Sequence, residues 1–308
     1  MQQIDQFMEV CQQAVRAAGA TVQQWIGKTT VRHKGPADLV TEADLASQEV
    51  IRAAVLAAFP GHTLLGEEAA AFPGHTLLGE EAVAFSGHTA LGEEAIANPP
   101  ATVKSPAAKL ESPPGTAAFR WITDPLDGTT NYVHRVPHYC VSLALEHAGS
   151  LLVGAVYDPT QEECFTAARG RGAFLNGRRI HTSDAADLSE ALAATGFPAH
   201  VTPDAPDLLV FNQAIFCCQG VRRTGSAALN LCYMAAGRFD VLWGLSTKVW
   251  DVAAGVLLVQ EAGGVLTAPD GGTFVLDDAR YIAAANPALY GQVREMVRRA
   301  LGGNGERT

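Results

Sequence analysis

The six cysteines, Cys11, Cys140, Cys164, Cys217, Cys218 and Cys232, show no C-x-x-C spacing and lie inside apolar runs. That pattern predicts reduced, buried core thiols in a cytoplasmic protein. No apolar stretch reaches the length that a membrane span requires. The N-terminus lacks a basic segment followed by an apolar one, so no secretory signal is expected. Positive charge is scarce: 22 Lys and Arg stand against 32 Asp and Glu, a formal net charge of −10. Nucleic acids and anionic membranes both require clustered cations, so neither is expected as a partner. The nine histidines are assigned no metal.

What is present is a chain of 308 residues, 48% of them apolar, long enough to bury a large core in one or two domains. Ile4, Phe7, Met8, Cys11, Val15, Ala18, Val22 and Trp25 recur at helical spacing and predict a long first helix ending near Gly27. A loop and a short extended piece over residues 34–40 lead to a second helix, opened by Thr41 and running to about Ala58. A tandem repeat follows. Phe59-Pro60-Gly61-His62-Thr63-Leu64-Leu65-Gly66-Glu67-Glu68 recurs from Phe72 and again, slightly diverged, from Phe85, which fixes a period of thirteen. That period is too short for a stacked solenoid, so it reads as a local duplication. Residues 98–115 are Pro-rich and read as a mobile loop. Strand-like runs from Val141 to Leu175, with Asn176-Gly177 as a hairpin turn, predict an antiparallel meander. Beyond Ser189, strands and helices alternate, and the final GGNGERT reads as disordered.

The chemistry concentrates in residues 121–131, W-I-T-D-P-L-D-G-T-T-N. An apolar strand ends at a proline-initiated turn that carries Asp124 and Asp127. Hard oxygen ligands this close suit Mg²⁺. Gly128, Thr129 and Thr130 follow, where backbone N–H groups at a helix start favour an anion such as phosphate. An ordinary Asx-type surface turn would use the same residues. The alternating ligands and distal Glu of an EF-hand are missing. The stretch also resembles the D-x-D-G-T start of haloacid-dehalogenase-type phosphatases, but Pro125 stands where their nucleophilic Asp would be.

D-P-L-D-G-T-T-N, together with Trp250-Asp251-Val252-Ala253-Ala254-Gly255 and Gly66-Glu67-Glu68 in that family's order, resembles the signature set of the inositol monophosphatase family. These are Mg²⁺-dependent, lithium-sensitive sugar-phosphate phosphatases. The resemblance implies an α-β-α-β-α layered sandwich, an α/β fold whose N-terminal α+β part carries an antiparallel sheet and whose C-terminal part is α/β. The expected domains are 1–188, with an insertion at about 69–118, and 189–308. It implies two or three Mg²⁺ ions held by Glu67, Asp124, the Leu126 carbonyl, Asp127 and Asp251. Asp44 would be an outer ligand, with Thr129 and Glu67 orienting and deprotonating the attacking water. Gly128, Thr129, Thr130, Gly225, Ser226, Ala227 and Asp251 would contact substrate, and the protein would be a homodimer.

Several of these residues have plainer uses. Thr41 and Asp44 match a helix capping box, and Asp251 and Ser226 each suit a helix N-cap. The repeat also offers Glu80 and Glu93 as alternatives to Glu67. Glu67 is preferred because one helix and a tight turn carry the chain from Asp44 to it. One departure concerns substrate. Inositol-type members commonly carry an acidic residue seven positions before the Trp-Asp aspartate, and here that position is Gly244. The expected activity is hydrolysis of small polyol or sugar phosphates, inositol monophosphate first. Fructose 1,6-bisphosphate, histidinol phosphate and 3′-phosphonucleotides are rival substrates. A catalytically weak metal-binding regulatory or scaffold protein is the rival from another class.

Overall fold

A computed structural model describes residues 2–35, 38–68 and 118–302 of the chain. The second and third repeat copies with Glu80 and Glu93, the Pro-rich run and the last six residues lie outside the described residues. Two sheets carry the architecture. The first has seven strands: β3 (Thr63–Gly66), β4 (Phe119–Asp127), β5 (Cys140–His147), β6 (Ser150–Asp158), β7 (Glu163–Ala168), β8 (Gly172–Leu175) and β9 (Arg178–Ile180). They lie side by side in chain order, antiparallel except for the parallel β3–β4 pair. The predicted meander is present, because short Gly- and Asn-containing turns allow only neighbouring strands to pair.

The second sheet has the order β11-β10-β12-β14-β13, built from β10 (Leu192–Thr195), β11 (Gly220–Arg223), β12 (Val241–Gly244), β13 (Val265–Thr267) and β14 (Tyr281–Ala284). β10, β11 and β12 are parallel, and β13 and β14 complete the sheet with antiparallel pairs. Helices form three layers around the two sheets. On the outer face of the larger sheet, α1 (Gln2–Gln24) and α2 (Glu42–Ala58) bury Phe7, Cys11, Val15, Val22, Ile51 and Val55 against Trp121, Val141, Leu143 and Leu145. Alternate residues of the same strands, Ile122, Cys140, Ala144 and Val156, face the middle layer, as a two-residue period requires. That layer is α5 (Ala227–Ala235) and α6 (Val249–Glu261). Every residue from Val252 to Val259 is buried, the expected result for a helix packed between two sheets. On the far face, α4 (Pro206–Ala214) and α7 (Pro287–Gly302) pack Val210, Leu289, Val293 and Met296 on Val241, Trp243 and Ile282. The fold is thus the α-β-α-β-α sandwich.

Three local expectations are corrected. β1 (Arg32–Gly35) pairs antiparallel with β2 (Asp38–Val40), where a loop and one extended piece were expected. The Asp-Pro-Leu-Asp run is not a turn beyond a strand end; it is the last part of β4. Its register with β5 steps from Asp124↔Ser142 to Asp127↔Cys140, which inserts one extra residue on β4. β3 pairs only as far as Thr123, so Pro125 falls where its missing N–H breaks no ladder. Four of the cysteines are buried, but Cys217 and Cys218 are only half-buried. They follow the end of α4 beside Phe216, which is 87% exposed. Among the described residues, no helix is long and apolar enough to cross a membrane.

Candidate active site

The extra residue in β4 decides where the two aspartates face. Ile122 points to the middle layer and Leu126 to the outer core, yet both Asp124 and Asp127 turn inward. Without the bulge, positions three apart would lie on opposite faces. Asp127 Oδ2 then accepts hydrogen bonds from the Ser226 hydroxyl (2.6 Å) and the Ala228 N–H (2.7 Å) at the start of α5. Asp124 Oδ1 accepts from the Leu126 N–H at 3.0 Å. Asp251 lies in the first turn of α6, where its Oδ2 accepts from the Lys248 N–H at 2.8 Å. Glu67 follows β3 directly, its N–H donating to the Thr123 carbonyl at 3.3 Å.

These four carboxylates sense one another. Burial raises the Asp124 carboxyl well above the usual range, and the charges of Glu67, Asp127 and Asp251 raise it further. Burial likewise raises Asp251, followed by the charges of Asp127 and Glu67, although its side chain keeps some exposure. Asp127 is pushed up to about 6 by burial, against the opposing hydrogen bonds of Ser226 and Ala228. Asp127 and Asp251 sit at helix N-termini, where the backbone favours anions, but desolvation prevails.

Asp44 and Thr129 meet beside this group. The Thr129 hydroxyl lies 2.9 Å from the Leu126 carbonyl and 3.2 Å from Asp44 Oδ1. Asp44 Oδ2 accepts from the Thr41 N–H (2.8 Å) and the Thr41 hydroxyl (2.6 Å), the capping box read in the sequence. Ser226 does cap α5, accepting from the Leu229 N–H at 3.2 Å, while its own proton goes to Asp127. One hydroxyl therefore serves both uses.

As the side chains lie, no three His, Cys, Asp or Glu among the described residues are grouped to enclose a metal ion. Asp124, Asp127 and Asp251 are turned onto backbone and hydroxyl donors. The donor set nonetheless suits a hard divalent cation. It is all oxygen, and the largest neighbouring charges on Asp124 are other carboxylates. A cation would relieve that repulsion.

Gly128 precedes the short helix α3 (Thr129–Val133), which carries Thr130 and the Thr129 that meets Asp44. Asn131, unassigned in the sequence, ties this loop to the next: its Nδ2 donates to the carbonyls of His138 (2.8 Å) and Thr224 (2.9 Å). Gly225, Ser226 and Ala227 follow Thr224 at the carboxyl end of β11. Ser47 was also missed. Its hydroxyl donates to the Pro125 carbonyl at 2.6 Å, and it belongs with Asp44 and Gln48 to the polar residues that α2 buries beside Ile51 and Val55. Gly244 ends β12, where a Cβ would stand 2.6 Å from Tyr281 Cε1 and 2.8 Å from Thr247 Cγ2. Its neighbour Asp207 offers no substitute acid, since its oxygens accept from the Leu245 N–H (2.8 Å) and the Ser246 hydroxyl (2.6 Å).

A sequence model of the Inositol monophosphatase family matches residues 3–301. An inositol-1-monophosphatase of Rhizobium meliloti is 36% identical over 300 residues, covering 96% of this chain and 97% of that protein. A protein named Nus factor SuhB from Pseudomonas aeruginosa is 36% identical over 283 residues, 90% of each chain. Among solved structures, the extragenic suppressor protein suhB of Bartonella henselae superposes with a TM-score of 0.77 at 33% identity, covering 95% of this chain and 98% of that one.

Proposed function

The chain belongs to the inositol monophosphatase family, and from that premise we propose that it is a Mg²⁺-dependent phosphatase of small polyol or sugar phosphate monoesters. The observation that carries this reading is the cluster of Glu67, Asp124, Asp127 and Asp251, in which desolvation and the neighbouring carboxylates raise Asp124 and Asp251 well above the usual range, a cost that a bound cation would relieve. A protein that needed only a docking surface would gain nothing from such a cluster. In this reading the four carboxylates and the Leu126 carbonyl hold the metal, with Asp44 as an outer ligand. Mg²⁺ there supplies charge that acidifies a water and neutralises phosphate oxygens.

The protein's own groups do the rest. Thr129, donating toward Asp44 and Leu126, keeps its lone pairs for a proton of the attacking water, and Glu67 acts as base. The N–H groups of Gly128, Thr129 and Thr130 face the phosphate. The loop of Gly225, Ser226 and Ala227, at the carboxyl ends of parallel strands, borders the alcohol. Glu80 and Glu93 remain the alternatives to Glu67.

Relatives of equal identity are named as phosphatases and as Nus factors. Phosphate release from inositol 1-phosphate, glycerol 2-phosphate, fructose 1,6-bisphosphate, histidinol phosphate and a 3′-phosphonucleotide separates the readings. We expect turnover with Mg²⁺, abolished by EDTA and suppressed by lithium, and lost in Asp127→Asn. Turnover that survives chelation refutes the metal-dependent reading, and no turnover on any ester favours a Nus-type role.

A further inference from the structure

Helix α2 buries three polar side chains at i, i+3 and i+4: Asp44, Ser47 and Gln48. A helix packed on a sheet fills that stripe with apolar residues unless the polar groups have partners. Asp44 and Ser47 hold Thr129 and the Pro125 carbonyl. Gln48 reaches the other side of the site. Its Oε1 accepts from the Glu68 N–H at 3.1 Å, and its Nε2 donates to the Glu68 carbonyl. A primary amide and a backbone residue each offer one donor and one acceptor here, so two bonds fix residue 68 in both position and orientation.

Glu67 is therefore held from two directions, by Thr123 of β4 on one side and through Glu68 by Gln48 on the other. Gly66 is part of the same device. A Cβ at Gly66 would overlap Gln48 Oε1 and stand 3.1 Å from Gln48 Cδ, so a side chain there would push the amide from its present place. We propose that Gln48 is a positioning residue that sets Glu67 for cation binding by clamping the backbone of Glu68. The inference rests on the reading of Glu67 as a metal ligand. A carboxylate at position 48 would lose the donor and place a further negative charge beside a crowded acidic cluster, and a leucine would lose both bonds.

The test is calorimetric titration of Mg²⁺ into the metal-free, full-length protein, comparing wild type with Gln48→Leu, Gln48→Glu and Val55→Ala. Val55 is buried on the same helix in the outer core and reports destabilisation alone. Both Gln48 variants should bind Mg²⁺ at least tenfold more weakly, with kcat of Gln48→Leu recovering at saturating Mg²⁺. Val55→Ala should melt earlier yet bind within twofold of wild type. Equal affinities in Gln48→Leu and Val55→Ala overturn the clamp. Gly66→Ala displaces the amide from the opposite side and serves if the Gln48 variants do not fold; wild-type affinity in it overturns the clamp equally. A wild-type protein that binds no Mg²⁺ would instead refute the metal-dependent reading.

Discussion

Replacing Ser226 by alanine removes a single oxygen that performs two tasks. Its hydroxyl donates to Asp127 Oδ2 at 2.6 Å, and the same oxygen accepts from the Leu229 N–H at 3.2 Å as the cap of α5. A hydrogen bond to a charged group contributes about 1.5–3 kcal/mol, and a lost N-cap costs about 1 kcal/mol. Together the change should cost roughly 2.5–4 kcal/mol. At about 2–4 °C per kcal/mol for a large domain, Tm should fall by roughly 5–16 °C. The Ser226 hydroxyl is also the strongest interaction opposing desolvation at Asp127, so its loss drives that carboxyl higher and weakens cation binding. Thermal unfolding with and without Mg²⁺ measures both effects, and Ser226→Thr, which keeps the hydroxyl, should recover most of each. A Ser226→Ala protein that melts within 1 °C of wild type, a threshold set by the roughly 5 °C minimum expected, would refute the double role.

Two further outcomes follow from the site. The Asp127 carboxyl is held at about 6 in the folded chain against its ordinary 3.8, so folding takes up a proton in that window. The resulting stability is complete below pH of about 4 and is lost as pH rises through about 6, amounting to roughly 3 kcal/mol in the metal-free protein; urea denaturation of wild type and Asp127→Asn across that range should diverge, and parallel profiles would place the effect elsewhere. At Gly244, where no acid is present to bind a sugar hydroxyl at a gain of about 1.5–3 kcal/mol, kcat/KM for inositol 1-phosphate and glycerol 2-phosphate should agree within about tenfold, and a preference of about a thousandfold would show that another residue makes the contact.

The fold was legible where local pattern and global packing agree. The meander from Cys140 to Ile180 follows from two-residue alternation and turn residues, and α6 from its apolar run beneath Asp251. The bulge at Asp124 to Asp127 was not legible, because proline and two aspartates describe a turn as well as an irregular strand end; only pairing with β5 distinguishes them. β13 and the paired strands β1 and β2 are three or four residues long and depend on tertiary partners that no short window shows. Within the site, the acidic residues announced themselves by type. The residues that aim them did not: Ser47, Gln48 and Asn131 act through backbone atoms distant in sequence, and their polarity alone has no direction.

The most direct test of the account is a crystal of the full chain grown with Mn²⁺ in place of Mg²⁺ and measured for anomalous scattering. The account predicts peaks among Glu67, Asp124, Asp127 and Asp251, with oxygen distances close to the about 2.1 Å typical of small hard cations. Peaks ligated by Glu80 or Glu93 would reassign the repeat copy. Absence of any peak among Asp124, Asp127 and Asp251 at saturating Mn²⁺ would contradict the claim that these carboxylates share a metal.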